Sequence, residues 1–134
     1  MKVEGACHCG EITYEAEVDP AKVTLCNCTD CQMLSGTPFR VSVPAPSAGF
    51  RFIQGKPRVY VKTAESGTKR RHAFCASCGT PISSSADSDT PPAYSLRIGC
   101  LKQRALLPPR RQIWHKSAIA WAQNVSDVPA VEGQ

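Results

Sequence analysis

The clearest pattern in the chain lies between Gly10 and Val18, where apolar and polar residues alternate one by one. Ile12, Tyr14, Ala16 and Val18 alternate with Glu11, Thr13, Glu15 and Glu17. A period of two, with the polar side chains on one face, is typical of a half-buried β-strand. Asp19-Pro20 is a turn signal that ends this strand.

Further short strands are predicted along the chain, with no long helix. Apolar or alternating residues predict strands at 23–25, 39–43, 50–53, 58–62 and 94–98, a hairpin turn at 55–57, a helical turn at 32–35, and loops at 44–49 and 83–92. Residues 112–121 hold the last apolar set, and no stretch has a long 3.6-residue period. With 11 prolines spread through the chain, the sequence predicts a mainly β protein of short strands.

The length of 134 residues fits a single domain with a core of its own. We expect residues 1–124 to form this domain and residues 125–134, which have little to pack, to form a flexible tail. Met1 to Gly5 contain no apolar segment of a signal peptide, and no apolar run is long enough to span a bilayer. The sequence therefore predicts a cytoplasmic protein with no membrane partner.

A cytoplasmic location changes the interpretation of the eight cysteines. Disulfides are rare in a reducing compartment, where clustered thiols are more often metal ligands. The close CxC and CxxC spacings agree, because such pairs are too near in sequence for ordinary internal bridges. Two alternatives remain open: a long-range disulfide framework in an exported protein, and an iron–sulfur cluster with an unusual spacing.

The net charge of +5 suggests nucleic acid binding only at first sight. That value counts every cysteine as neutral. Seven metal-bound thiolates and two Zn²⁺ ions would lower the charge to about +2. Aromatic residues make up 7% of the chain, too few for a base-stacking surface, so we expect no nucleic acid partner.

Two cysteine pairs far apart in the sequence add up to one complete set of four zinc ligands. The pairs are Cys7-His8-Cys9 and Cys75-Ala76-Ser77-Cys78, and a tetrahedral Cys₄ set is the usual structural zinc site. Gly79 supports this interpretation, because the residue after a CxxC turn often requires a positive φ. The alternative is that these cysteines are small buried hydrophobic residues.

A third group, Cys26, Cys28 and Cys31, supplies three ligands and leaves one tetrahedral corner open. A zinc ion with an exchangeable position is the arrangement that catalysis uses. Two alternatives stay open: these thiols exchange with the other set at a single zinc, or a fourth ligand closes the site. The candidates for that ligand are Cys100, His8, His72 and His115.

Three motifs together resemble the glutathione-dependent formaldehyde-activating enzyme family. They are Gly5-Ala6-Cys7-His8-Cys9-Gly10 with Tyr14, Cys26-Asn27-Cys28-Thr29-Asp30-Cys31 with Ser35-Gly36 and Pro38-Phe39, and Phe74-Cys75-Ala76-Ser77-Cys78-Gly79-Thr80. Gly99 to Leu101 and Trp121 resemble its closing strand and tryptophan. The resemblance extends over nearly the whole chain.

The resemblance implies a β-tent of short, coiled antiparallel sheets stapled by zinc. It implies a structural zinc on Cys7, Cys9, Cys75 and Cys78 and a second, open zinc on the catalytic residues Cys26, Cys28 and Cys31. It also implies a carbon–sulfur lyase that joins glutathione and formaldehyde into S-(hydroxymethyl)glutathione. Arg40, Arg71 and Arg97 are candidates for binding the glutathione carboxylates. The alternative function is a zinc-stapled module that binds a protein partner without catalysis.

Overall fold

The computed structural model describes all 134 residues and confirms a single-domain, mainly β protein. The elements are β1 (Lys2–Ala6), β2 (Thr13–Glu17), β3 (Thr24–Cys26), α1 (Thr29–Ser35), β4 (Arg40–Pro46), β5 (Phe50–Gln54), β6 (Arg58–Thr63), β7 (Lys69–Phe74), β8 (Pro81–Ala86), β9 (Ala93–Arg97) and β10 (Arg111–Ile113). Short 3₁₀ turns connect several of them. None of the helices has the length and apolar character that crossing a bilayer requires.

The strands form two sheets. The small sheet has the order β1-β2-β5, and the large sheet has the order β10-β3-β4-β9-β8-β7-β6. All pairings are antiparallel except that of β10 with β3, which is parallel. The alternating pattern of the first predicted strand is confirmed, because Tyr14 and Ala16 are buried while Glu15 and Glu17 are exposed.

The two sheets share one hydrophobic core. Buried residues of this core include Val3, Ile12, Tyr14, Ala16, Val18, Val43, Ala45, Ile82, Leu96 and Leu101. Aromatic rings connect the sheets directly, since the ring centroids of Phe50 in β5 and Tyr94 in β9 lie 4.5 Å apart. The core is therefore closed by contacts between distant parts of the chain.

The predicted hairpin between 50–53 and 58–62 is wrong. Strand β5 pairs with β2 and strand β6 pairs with β7, so the two segments belong to different sheets. Phe50 and Phe52 explain this choice, because their rings pack against Tyr14 at centroid distances of 5.7 and 6.2 Å. The chain passes from one sheet to the other at Gly55, whose φ is +77°.

Both predicted loops contain strand. Strand β4 continues through Pro44 and Pro46. Its pairing with β3 ends at Ser42, so β3 does not pair with either proline. A proline is tolerated where one side of a strand has no neighbour. Strand β8 replaces the first part of the predicted loop at 83–92, and its serines are buried between β7 and β9. The polarity of these serines suggested a loop exposed to solvent, but their small side chains fit inside the sheet.

The last apolar set packs less than its composition suggested. Ile113, Trp114 and Trp121 remain 38%, 54% and 65% exposed. Trp114 also has a positive φ of 55°, and the ammonium of Lys116 lies 5.1 Å from its ring centroid. This segment is held mainly by hydrogen bonds of its backbone, described below, and by the short strand β10.

A matched pair of glycines tests the passage between the sheets. Gly55 and Gly67 both have positive φ, but a Cβ at Gly55 would lie 2.4 Å from the Glu11 carbonyl oxygen, whereas nothing lies within 4 Å of one at Gly67. We expect Gly67→Ala to lower the free energy of unfolding by about 1 kcal/mol. Gly55→Ala should lower the free energy of unfolding by about 1–3 kcal/mol more than Gly67→Ala does, because the backbone near Glu11 must move to make room for the new methyl group. Equal unfolding midpoints in denaturant, followed by circular dichroism, would contradict this account.

Candidate metal centres

The first cysteine cluster joins two loops that are far apart in sequence. Cys7 and Cys9 lie in the turn after β1, and Cys75 and Cys78 lie in the turn after β7. Glycines shape both turns: the φ of Gly79 is +77°, as the sequence predicted, and the equivalent glycine of the first turn has +80°. The backbone N–H of His8 donates to Thr80 Oγ1 at 3.0 Å and ties the loops together.

The sulfur atoms of this cluster fit one tetrahedral metal ion. Cys9 Sγ lies 3.6 Å from Cys7 Sγ and 3.8 Å from Cys75 Sγ, and all four sulfurs lie within 4.8 Å of one another. A tetrahedral zinc with bonds of about 2.3 Å places its sulfurs about 3.8 Å apart. The N–H of Ile12 donates to Cys7 Sγ at 3.2 Å, a contact that favours a thiolate.

The second cluster is built at the junction of β3 and α1. Cys26 ends β3, and Cys28 is the N-cap of α1, its Sγ accepting the backbone N–H of Cys31 at 3.2 Å. The sulfurs of these three residues lie within 4.8 Å of one another, and all three residues are half-buried. The cap and the first helical turn therefore fix the spacing of the last two thiols.

Two polar residues hold this loop to the end of the chain, and the sequence analysis missed both. Asn27 is fully buried, and its backbone N–H donates to the Ile113 carbonyl at 3.1 Å. Gln32 Nε2 donates to the Asn27 carbonyl at 2.8 Å and to the Ser117 carbonyl at 3.0 Å. Only the fold reveals these partners, because they lie about 85 residues away in the sequence.

None of the proposed fourth ligands joins the second cluster, which consists of three cysteines. Cys100 packs against the hydrophobic core and its Sγ donates to the Pro81 carbonyl at 3.0 Å. His72 contacts Arg97, and His8 and His115 are exposed. No thiol is shared between the two clusters, and none of the eight cysteines forms a disulfide.

A cavity of about 680 Å³ opens beside the second cluster, a volume in the usual range of small-molecule sites. Its lining includes the three cysteines and six basic residues: Lys22, Arg40, Lys62, Arg70, Arg97 and Arg111. Asp30 is the one carboxylate in the lining, and it forms an ion pair with Lys62 at 2.5 Å. The cavity is therefore strongly positive.

Two of these arginines are buried, Arg40 and Arg97, each 8% exposed. Burial, followed by the charge of Arg40, lowers the pKa of Arg97 to about 9. Arg97 Nη1 donates to Ser42 Oγ at 3.0 Å, and Nη2 lies 3.3 Å from His72 Nδ1. Burial and the neighbouring Arg97 lower the pKa of His72 to about 4, so His72 is uncharged at neutral pH and accepts from Arg97.

The arginines suggested by the sequence separate into two groups. Arg40 and Arg97 line the cavity, whereas Arg71 does not. Its guanidinium instead pairs with Asp87 at 2.9 Å and Asp89 at 3.3 Å. Arg40 also acts on the second cluster: burial raises the pKa of the Cys31 thiol, but the hydrogen bond and charge of Arg40 help to bring it below the ordinary value.

Comparison with known proteins identifies a family and a similar fold. The family model for the glutathione-dependent formaldehyde-activating enzyme matches residues 2–117. A Rhodobacter sphaeroides protein, solved by crystallography as a Northeast Structural Genomics target, has a similar fold, with a TM-score of 0.61 and 22% identity over 81% of this chain and 98% of that one. No curated protein matches the chain significantly.

The first cluster predicts different outcomes for the substitution of buried Cys75 and of half-buried Cys100. We expect Cys75→Ala to remove one bound metal equivalent and to unfold the domain or make it insoluble, because the two loops lose their common ligand. Cys100→Ala is the matched control, since the Cys100 thiol belongs to neither cluster. It should keep the metal content of the wild type, measured by elemental analysis. A Cys75→Ala protein that melts like the wild type would refute the structural role.

Proposed function

The chain belongs to the glutathione-dependent formaldehyde-activating enzyme family, and we propose that it is a carbon–sulfur lyase that activates a thiol for addition to, or release from, a small aldehyde. The thiol is glutathione or a similar molecule, and the aldehyde is formaldehyde or a close relative. One observation carries this proposal: three cysteines with no fourth ligand line a cavity large enough for a small molecule.

Zinc is the metal that suits both clusters, because each consists of sulfur ligands only and the first has tetrahedral spacing. Cys7, Cys9, Cys75 and Cys78 would hold a closed, structural ion. Cys26, Cys28 and Cys31 would hold a second ion whose fourth position a substrate thiol could take. A substrate thiol held there by Cys26, Cys28 and Cys31 through a zinc ion would have a lowered pKa and would remain a nucleophilic thiolate at neutral pH.

The residues of the chain contribute position and charge. The helix cap at Cys28 and the hydrogen bonds of Asn27 and Gln32 hold the three thiols in place. The basic lining attracts an anionic thiol such as glutathione, whose carboxylates need cationic partners. His72, uncharged at neutral pH, offers a polar edge and no additional positive charge.

A module that binds a protein partner remains the second candidate from the sequence. Such a module has no need of a metal with an exchangeable position or of a charged cavity beside it. The three-cysteine cluster at the cavity therefore favours the enzyme.

We predict two zinc ions of unequal lability. The closed cluster should retain its ion against a chelator, because four thiolates satisfy the metal, whereas the three-thiolate cluster should release its ion sooner. The measurement is elemental analysis combined with chelator kinetics. A content of one zinc, or iron in its place, would contradict the assignment.

We also predict that Cys28→Ser removes the second zinc and thiol-dependent turnover while leaving the fold intact. Serine is a good N-cap, so its hydroxyl can still accept the Cys31 N–H and keep α1 in place. Turnover is measured by exchange spectroscopy on glutathione with formaldehyde, where the uncatalysed reaction supplies the baseline. Circular dichroism checks the fold.

Cys100→Ser is the control for this experiment, because it removes a thiol outside both clusters. The Cys100→Ser protein should catalyse the exchange between glutathione and formaldehyde at the wild-type rate. If the wild-type protein leaves the exchange rate unchanged across several thiols and aldehydes, the enzyme proposal fails and the binding module replaces it.

A further inference from the structure

The cavity holds more buried positive charge than the protein neutralises. Arg40 and Arg97 are each 8% exposed, and neither they nor Arg70 forms an ion pair with a carboxylate. The Nε of Arg97 is buried without any hydrogen-bond partner. Burying an unpaired charge or an unsatisfied donor is costly, which points to an anionic ligand.

The metal site accounts for only part of this charge. Three thiolates with one divalent ion carry one net negative charge, and Arg40 lies next to them, opposite Cys26 in the β3–β4 register. Arg97 is one strand further on, where it lies opposite Ser42 in the β4–β9 register. Arg97 therefore still has a free donor and lacks an acidic partner.

The register also sets how far the backbone of Arg97 lies from that of the cysteines. Ser42 is two residues beyond Arg40 along the same strand and on the same face, a distance of about 7 Å. Arg97 lies about 5 Å further across the sheet. Because both arginines line the same cavity as the three cysteines, a small anion bridging Arg40 and Arg97 would lie close to a thiol bound at the second cluster.

This short distance distinguishes two sources of carboxylate. Both carboxylates of glutathione are separated from its sulfur by a peptide unit, and the exposed cavity residues Lys22 and Arg111 suit them. The second substrate differs if its carboxylate is attached directly to its carbonyl carbon. Because this carbon bonds to the thiol sulfur, the carboxylate then stays close to the sulfur. Arg40 and Arg97 suit that second position.

We propose that the carbonyl substrate is a 2-oxo acid, an aldehyde carrying a carboxylate on its carbonyl carbon as glyoxylate does, and that Arg97 with Arg40 and Ser42 binds this carboxylate. This inference rests on the proposed function. The thiol sulfur bonds to the carbonyl carbon, the C=O π electrons move to the oxygen, and the thiol proton ends on that oxygen. The product is a hemithioacetal in which the sulfur carries a carboxyhydroxymethyl group, and no oxidant or reductant is needed.

The test compares three aldehydes with the zinc-loaded protein by exchange spectroscopy: formaldehyde, glyoxylate and the uncharged glyoxylamide. We expect the catalysed exchange to favour glyoxylate over glyoxylamide by about tenfold or more, because charge-assisted hydrogen bonds are lost with the amide. Arg97→Gln should bring this ratio close to one. Arg71→Gln is the matched control on the neighbouring surface and should keep the wild-type ratio.

Repeating the comparison with 2-mercaptoethanol, an uncharged thiol without carboxylates, separates the two sources. The glyoxylate preference should persist with 2-mercaptoethanol. If Arg97→Gln instead lowers the ratio of glutathione exchange to 2-mercaptoethanol exchange and leaves the aldehyde ratio unchanged, the carboxylate belongs to the thiol and the inference is overturned.

A binding measurement needs no turnover. Oxamate, an unreactive analogue of a 2-oxo acid, should bind the wild-type protein in calorimetry at least about tenfold more tightly than uncharged oxamide. This comparison decides the question even if Arg97→Gln fails to fold. Equal binding of the two, with formaldehyde exchange still accelerated, would overturn the inference and leave the proposed function standing. No acceleration with any aldehyde would overturn both.

Discussion

Four sulfur atoms from two distant loops meet within 4.8 Å of one another. Cys9 and Cys75 are 66 residues apart in sequence, yet their sulfurs lie 3.8 Å apart. One loop leaves the small sheet after β1, and the other leaves the large sheet after β7. The hydrophobic core that the sheets share is modest, with a cluster of 15 buried residues, so a metal ion bound by these four sulfurs would stabilise the packing of one sheet on the other.

The charged cavity depends on this packing in turn. One face of the large sheet carries Ser42, Ser84, His72 and Arg97 from four neighbouring strands, while Val43 and Leu96 point to the shared core. The same alternation that builds a hydrophobic core on one side therefore builds a polar site on the other. The cysteines of the second cluster lie at the β3 end of this face, so the sulfur atoms and the polar side chains line the same cavity.

The sequence predicted the grouping of the cysteines well because the spacing within each pair or triplet is local. CxC, CxxC and a following glycine describe turns of a few residues, and the chain forms them as expected. It predicted strand pairing less well: Gly55-Lys56-Pro57 resembles a hairpin turn, yet aromatic packing assigns β5 and β6 to different sheets. The buried serines of β8 resembled a loop because a polar strand inside a sheet has the composition of an exposed segment. Long-range partners such as that of Asn27 leave no local signal.

The parallel pairing of β10 with β3 sets an order of events during synthesis. The four cysteines of the first cluster have all been translated once Cys78 has left the ribosome, so a metal ion could bind there while the chain is still growing. The loop of Cys26 to Cys31 has its thiols even earlier, but Asn27 and Gln32 find their partners only in residues 112–117. A nascent chain could thus complete its first cysteine cluster long before the second cluster gains its partners in residues 112–117, so under the proposed function an unfinished chain would not expose an ordered second site.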